Sequence, residues 1–77
     1  MKRVHILLHH AKFSSVEYTT IEGVYSSAQK VSEAFNSIVE DFETQPNFEY
    51  IYKGENTYYC KINGSTHYIY IKVKELQ

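Results

Sequence analysis

The sequence predicts an α+β fold, a two-layer sandwich in which one helix lies across a single antiparallel sheet of four to five strands, in the order ββαβββ. Three observations carry that expectation. Asn63-Gly64 separates two alternating apolar runs and supplies the two positive-φ residues that a type I′ hairpin turn requires. Ala28, Val31, Phe35, Ile38 and Phe42 recur at spacings of three and four, with Ala34 and Val39 widening the stripe, which is how a helix that packs one face on a sheet is written. The remaining apolar segments are short and rich in β-branched and aromatic residues, as strands are.

Val4 to His10 reads as a strand, with Val4, Ile6 and Leu8 on one face and His5, Leu7 and His9 on the other. Both faces are partly apolar, which suits a central position. Ala11 to Ser15 reads as a polar connection. Val16 to Tyr25 is a second strand, able to form a hairpin with the first, and Gly23 within it marks a bulge or a close approach. Ser26 and Ser27 then offer helix N-caps, and Ser26 with Gln29 has the spacing of a capping box. The helix ends before Gln45-Pro46, because proline biases the preceding residue toward extended geometry.

Phe48 to Tyr52 is a short strand, Lys53 to Asn56 a turn, and Thr57 to Asn63 and Ser65 to Glu75 form the last hairpin. A two-residue Asn63-Gly64 loop sets Ile62 opposite Ser65, Cys60 opposite His67, Tyr59 opposite Tyr68 and Tyr58 opposite Ile69. Tyr58, Cys60, Ile62, Ile69, Ile71 and Val73 then line the buried side. Tyr59, Lys61, Tyr68, Tyr70, Lys72 and Lys74 line the other. The register of Phe48 to Tyr52 stays open, since one residue more or less in the loop flips Phe48, Tyr50 and Tyr52 to the opposite face.

Composition narrows the function. At 77 residues (1–77, one domain), with 43% hydrophobic and 16% aromatic residues, the chain is a folded domain too small for a deep, walled active site. The formal charge of −1 gives no bulk attraction to nucleic acid or to an anionic membrane. No stretch approaches the ~20 apolar residues of a membrane span, and Met1-Lys2-Arg3 leads into too few apolar residues for a signal peptide. A cytoplasmic location follows as the expectation, in which Asn63-Gly64-Ser65 is a turn rather than a glycosylation acceptor.

No cofactor and no metal are expected. Gly23, Gly54 and Gly64 are isolated, so no glycine-rich phosphate loop exists. Cys60 is the sole cysteine and reads as a small buried apolar residue. His5 and His9 are too far apart along a strand to chelate one ion, His10 points to the opposite side, and His67 with Cys60 gives fewer ligands than a zinc site needs. Cys60 and His67 are also the one pair that could serve nucleophilic chemistry. A buried thiol beside a hydrogen-bonded imidazole is the plainer reading, and the chain is expected not to be an enzyme.

Ile21 through Gly23-Val24-Tyr25-Ser26-Ser27 into a helix with Ala28, Val31 and Ala34 resembles small uncharacterised domains of phages and bacteria. In those, a first strand ending in His, a Gly-Val-Tyr-Ser-Ser segment and a short amphipathic helix recur. The resemblance covers roughly Val4 to Phe48, departs at Glu22 and in the longer Tyr-rich tail, and carries no known chemistry. It implies the same fold order and a mobile-element origin.

The surfaces that remain are the Tyr/Lys face and an acidic helix end. Residues 1–32 carry a net charge of +2, residues 33–49 carry −5 and residues 50–77 carry +2. Glu40, Asp41 and Glu43 crowd the helix C-terminus, where the macrodipole favours cations. Such a local rule broken without visible gain suggests a docking patch for a basic partner, or simply a solvated helix end. Tyrosines interleaved with lysines suit a protein interface, single-stranded nucleic acid, or ordinary cross-strand pairing on a solvated sheet. A small sheet also has two edges, and a long strand such as His67 to Val73, were it at one, could pair with its twin to make a homodimer. The leading expectation is a phage- or mobile-element-encoded binding protein that occludes a site on a host protein, using Tyr59, Lys61, Tyr68, Tyr70, Lys72 and Lys74 or Glu40, Asp41 and Glu43. The alternative is a single-stranded nucleic-acid-binding module on the Tyr/Lys face.

Overall fold

A computed structural model describes residues 2–76. The elements run β1 (Lys2–Phe13), β2 (Val16–Tyr25), α1 (Ala28–Glu43), β3 (Phe48–Lys53), β4 (Thr57–Ile62) and β5 (Ser65–Leu76). All five strands join one antiparallel sheet in the order β2-β1-β5-β4-β3. The expected α+β order ββαβββ is therefore observed, with five strands. β1 is internal, as its two apolar faces required. β5 lies at the centre of the sheet, so the His67 to Val73 segment has both sides paired and offers no free edge; β2 and β3 are the edges.

The Asn63-Gly64 turn forms as its residues dictate, with φ of 50° at Asn63 and 86° at Gly64. Ile62 faces Ser65, Cys60 faces His67, Tyr59 faces Tyr68 and Tyr58 faces Ile69. The first hairpin is tighter than its sequence suggests. β1 continues to Phe13 opposite Val16, leaving only Ser14-Ser15 as the turn, with Ser14 at φ 57°. Ala11, read as part of a polar connection, is instead a buried strand residue, because its small side chain lies where β5 and β2 flank it on both sides, opposite His67 and Tyr18. Glu22 is the extra residue of a bulge, since Leu7 pairs with Gly23 and Leu8 with Ile21. A Cβ on Gly23 would come within 2.7 Å of the Tyr25 hydroxyl and 2.8 Å of its ring, so the glycine serves a close approach beside that bulge.

Ser27, not Ser26, caps the helix, its hydroxyl accepting from the Lys30 backbone N–H at 3.2 Å. With lysine three residues on there is no capping box; Gln29 instead donates to Glu33 at 3.4 Å. Thr44 closes the helix, its backbone N–H donating to the carbonyls of Asp41 and Phe42, two residues before Pro46. Asn47 links this exit to the last hairpin, its side-chain amide donating to Asn63 Oδ1 at 3.2 Å.

Val31, Phe35 and Val39 of α1 pack on Leu7, Tyr58, Cys60 and Ile69 of the sheet, with Ala34, Ile38, Phe42, Tyr25, Phe48, Ile62 and Ile71 around them. Each such large apolar side chain contributes about 1.5–3 kcal/mol when fully buried. β3 resolves its open register through a second bulge. Phe48 pairs with Ile62 and Tyr50 with Cys60, but Tyr52 pairs with Tyr59. Ile51 is the extra residue, so Phe48 and Tyr50 stay with the core strip while Tyr52 crosses to the face of Tyr59.

Candidate functional site

The face of the sheet away from the core strip is a grid that alternation fixes strand by strand. β2 contributes Ile21 and Val24, β1 Val4, Ile6 and Leu8, β5 Tyr68, Tyr70, Lys72 and Lys74, β4 Tyr59 and Lys61, and β3 Tyr52. The strand register lays these in rows: Val24, Ile6 and Lys72 in one, Ile21, Leu8 and Tyr70 in the next, then Tyr68, Tyr59 and Tyr52. The six residues predicted for the Tyr/Lys face thus share one surface. The aliphatic half of that surface was not foreseen as part of it, because the β1–β5 pairing that joins the halves links the two ends of the chain and leaves no local trace. The β1 alternation was readable; which half of it met the tyrosines was not.

Ile21, Val24 and Tyr52 are more than half exposed. The tyrosines pack on one another, Tyr59 against Tyr68 edge-on with ring centroids 5.7 Å apart, and Tyr68 against Tyr70 at 5.1 Å and 56°. Tilted rings bury part of their π-faces in each other. They present edges and hydroxyls rather than flat plates to a partner. At one end of the grid Lys12 stands opposite Glu17 and Lys61 opposite Glu49, so these cations have carboxylates beside them. Lys72 and Lys74 lie at the other end, opposite Ile6 and Val4.

On the core side, the open end of the helix carries an unforeseen cluster. His9 Nδ1 donates to the Glu22 carboxylate at 3.2 Å, and His9 Nε2 lies 2.9 Å from His67 Nδ1. With its Nδ1 proton held by Glu22, a neutral His9 accepts from His67, and a protonated His9 donates to it. Phe42 of the helix packs on both imidazoles, at 5.4 Å from His9 and 5.3 Å from His67. Burial, and then the neighbouring His9, hold the His67 pKa below its usual value. The Glu22 bulge is what aims this carboxylate inward, the departure at Glu22 noted in the sequence.

Cys60 does face His67 across the strands, as the hairpin register required. Its thiol is completely buried, and burial pushes it up to about 11, the direction opposite to a nucleophile's. Among the described residues no group of three His, Cys, Asp or Glu is spaced to hold a metal ion. His10, on the other face, bonds to Thr19 at 2.9 Å and approaches Glu17 at 3.4 Å. A cleft of about 350 Å³ at the helix N-terminus gathers His5, Ser32, Glu55 and Asn56, yet no hydrogen bond links those side chains, so they form no relay.

Glu40, Asp41 and Glu43 are exposed, and the last helical turn holds no basic residue. None of them forms an ion pair among the described residues. Beneath them, burial, then Glu43, then Cys60 and Tyr50 raise the Tyr58 phenol to about 12. That hydroxyl is buried and has no hydrogen-bond partner among the described residues. The acidic end and the tyrosine face are separate surfaces. No helix among the described residues is long and apolar enough to cross a membrane.

No protein family, curated protein or solved structure matches the chain.

Proposed function

We propose that the chain is a non-enzymatic binding protein, a two-layer sandwich whose helix covers one sheet face and whose other face is reserved for a partner protein. The single observation behind this reading is the continuous grid from Ile21 and Val24 through Ile6 and Leu8 to Tyr70, Tyr68, Tyr59 and Tyr52. A protein partner fits this mixture of aliphatic and aromatic groups, with tyrosines as rigid anchors and Lys61, Lys72 and Lys74 as a polar rim. A partner surface that is apolar at its centre and carries carboxylates opposite Lys72 and Lys74 is the best complement. Occluding a site on a host protein needs no catalytic group, in keeping with an alkaline, buried Cys60. A phage or mobile-element origin accompanies the proposal through the resemblance described above, and a cytoplasmic setting is proposed alongside it.

The alternative, a single-stranded nucleic-acid module, draws on Tyr59, Tyr68 and Tyr70 with the lysines. Mutually tilted rings and an aliphatic half-face favour it less than a protein partner, since bases stack on flat, accessible rings and phosphates follow a track of cations. The acidic helix end, Glu40, Asp41 and Glu43, is proposed as a secondary contact for a basic segment. The deciding experiment is a pull-down of the tagged protein from source-cell lysate with and without nuclease. One stoichiometric protein retained after nuclease, with little loss at higher salt, supports the protein reading. Capture that disappears with nuclease and falls steeply with salt establishes the nucleic-acid reading instead.

A further inference from the structure

The two edges of the sheet are protected very differently. β3 is six residues long, is broken by the bulge at Ile51, and carries Glu49 and Lys53, devices that discourage a further strand from pairing. β2 is ten residues long and contains no lysine, arginine or proline. Its two charges lean back toward β1 rather than out past the edge, Glu17 lying 3.4 Å from His10 with its side chain 56% exposed and Glu22 lying 3.2 Å from His9. Its one interruption, at Glu22, leaves Val16 to Ile21 as an unbroken strip. Apolar residues are exposed on both of its faces, Tyr18 at 54% on one and Ile21 at 62% on the other.

We infer that β2 is an interface for a second copy of this chain, pairing antiparallel with its own β2 about a two-fold axis to give one continuous ten-stranded sheet. Backbone geometry allows it. In a two-residue hairpin the closing pair, here Phe13 and Val16, exchanges hydrogen bonds, and alternation along the ladder then turns the N–H and C=O of Glu17, Thr19 and Ile21 to the free edge. Charge permits a second copy as the occupant. With Thr19 opposite Thr19 of the partner copy, Glu17 meets Ile21 and Tyr18 meets Thr20, so no like charges oppose and side chains of one face meet those of the same face. Stacking two copies through their tyrosine faces about a two-fold axis along β5 fails the same test, since it sets Lys72 over Lys72 and Lys74 over Lys74. An edge-paired dimer leaves both tyrosine faces free and side by side, doubling the surface available to a partner.

Sedimentation equilibrium across a concentration series tests this. The chain is expected to approach twice its 9.1 kDa mass, and Thr19→Pro and Thr19→Lys are expected to weaken the dimer by at least about tenfold, since an edge proline whose N–H faces out leaves its own sheet intact. Thr19→Lys, which brings two ammonium groups together, carries the test should the proline variant fail to fold. A chain that stays monomeric up to about 1 mM, or variants that dimerise as before, would overturn the inference. A Tyr68→Ala/Tyr70→Ala protein is expected to dimerise normally, and loss of its dimer would move the interface to the tyrosine face and overturn the edge assignment. Failure of the dimer leaves the partner-binding face untouched, so the two readings are separable.

Discussion

On the helix side of the sheet Leu7, Cys60 and Ile69 are fully inaccessible, while on the reverse side Ile21 and Val24 are 62% and 58% exposed. The residue types differ little. What differs is cover: a chain of this size builds one helix, and that helix can bury only one face of five strands. On the inner strands β1, β5 and β4 an apolar side chain is thus buried or left partly accessible according to the parity of its position, while on the edge strand β2 even the helix-side Tyr18 is 54% exposed. The second face carries tyrosines at its centre and lysines at its rim, a composition that tolerates water and suits the proposed partner.

Truncating one side chain on each face separates the two most strongly. Leu7→Ala should cost about 2–5 kcal/mol in urea unfolding, whereas Ile21→Ala should cost under ~1 kcal/mol. Equal losses would mean that the second face is already covered. A smaller effect of opposite sign is expected at Tyr58. Its buried hydroxyl has no partner, and leaving such a group unsatisfied costs ~1–3 kcal/mol, so Tyr58→Phe should stabilise the protein by about 1 kcal/mol. Destabilisation would show that the hydroxyl bonds in solution.

The His9, His67 and Phe42 cluster makes the covered face sensitive to pH. His67 titrates below its ordinary value of 6.5 when folded, so below that pH the unfolded chain binds the proton more readily than the native one. Its contribution to stability is present above pH 6.5 and is lost as pH falls toward the folded pKa. His67→Gln should flatten this part of the stability profile; an unchanged profile would assign the slope to other groups. The smallest effect belongs to the helix end, where Glu43→Lys should gain about 0.3–1 kcal/mol by removing a carboxylate from the negative pole of the dipole. A loss there would mean that Glu43 is compensated by a contact.

Local chemistry made much of this legible from the residues alone. Asn63-Gly64 set the last hairpin's register, the stripe from Ala28 to Phe42 set the helix, and together they placed Tyr59, Tyr68 and Tyr70 on one surface. The missed features are non-local or depend on one inserted residue. The pairing of β1 with β5, which brings Ile6 and Leu8 beside Lys72 and Tyr70 and brings His9 to His67, leaves no mark at short range. The bulges at Glu22 and Ile51 reverse side-chain direction without changing the strand's composition, so Tyr52 parted from Tyr50 and Glu22 turned toward His9. Ser26 and Ser27 both offered a hydroxyl cap, and the capping-box spacing of Ser26 with Gln29 pointed away from Ser27, which takes the cap.

The central claim, that the second sheet face exists to hold a protein, is tested most directly by nuclease-treated capture with the native chain and with Tyr68→Ala/Tyr70→Ala in parallel. Cross-strand tyrosine pairs contribute ~0.2–1 kcal/mol each, so the double variant should keep its circular dichroism spectrum and fold. A stoichiometric protein held by the native chain is expected to be lost from the variant. The same protein retained equally by a folded variant would contradict the claim.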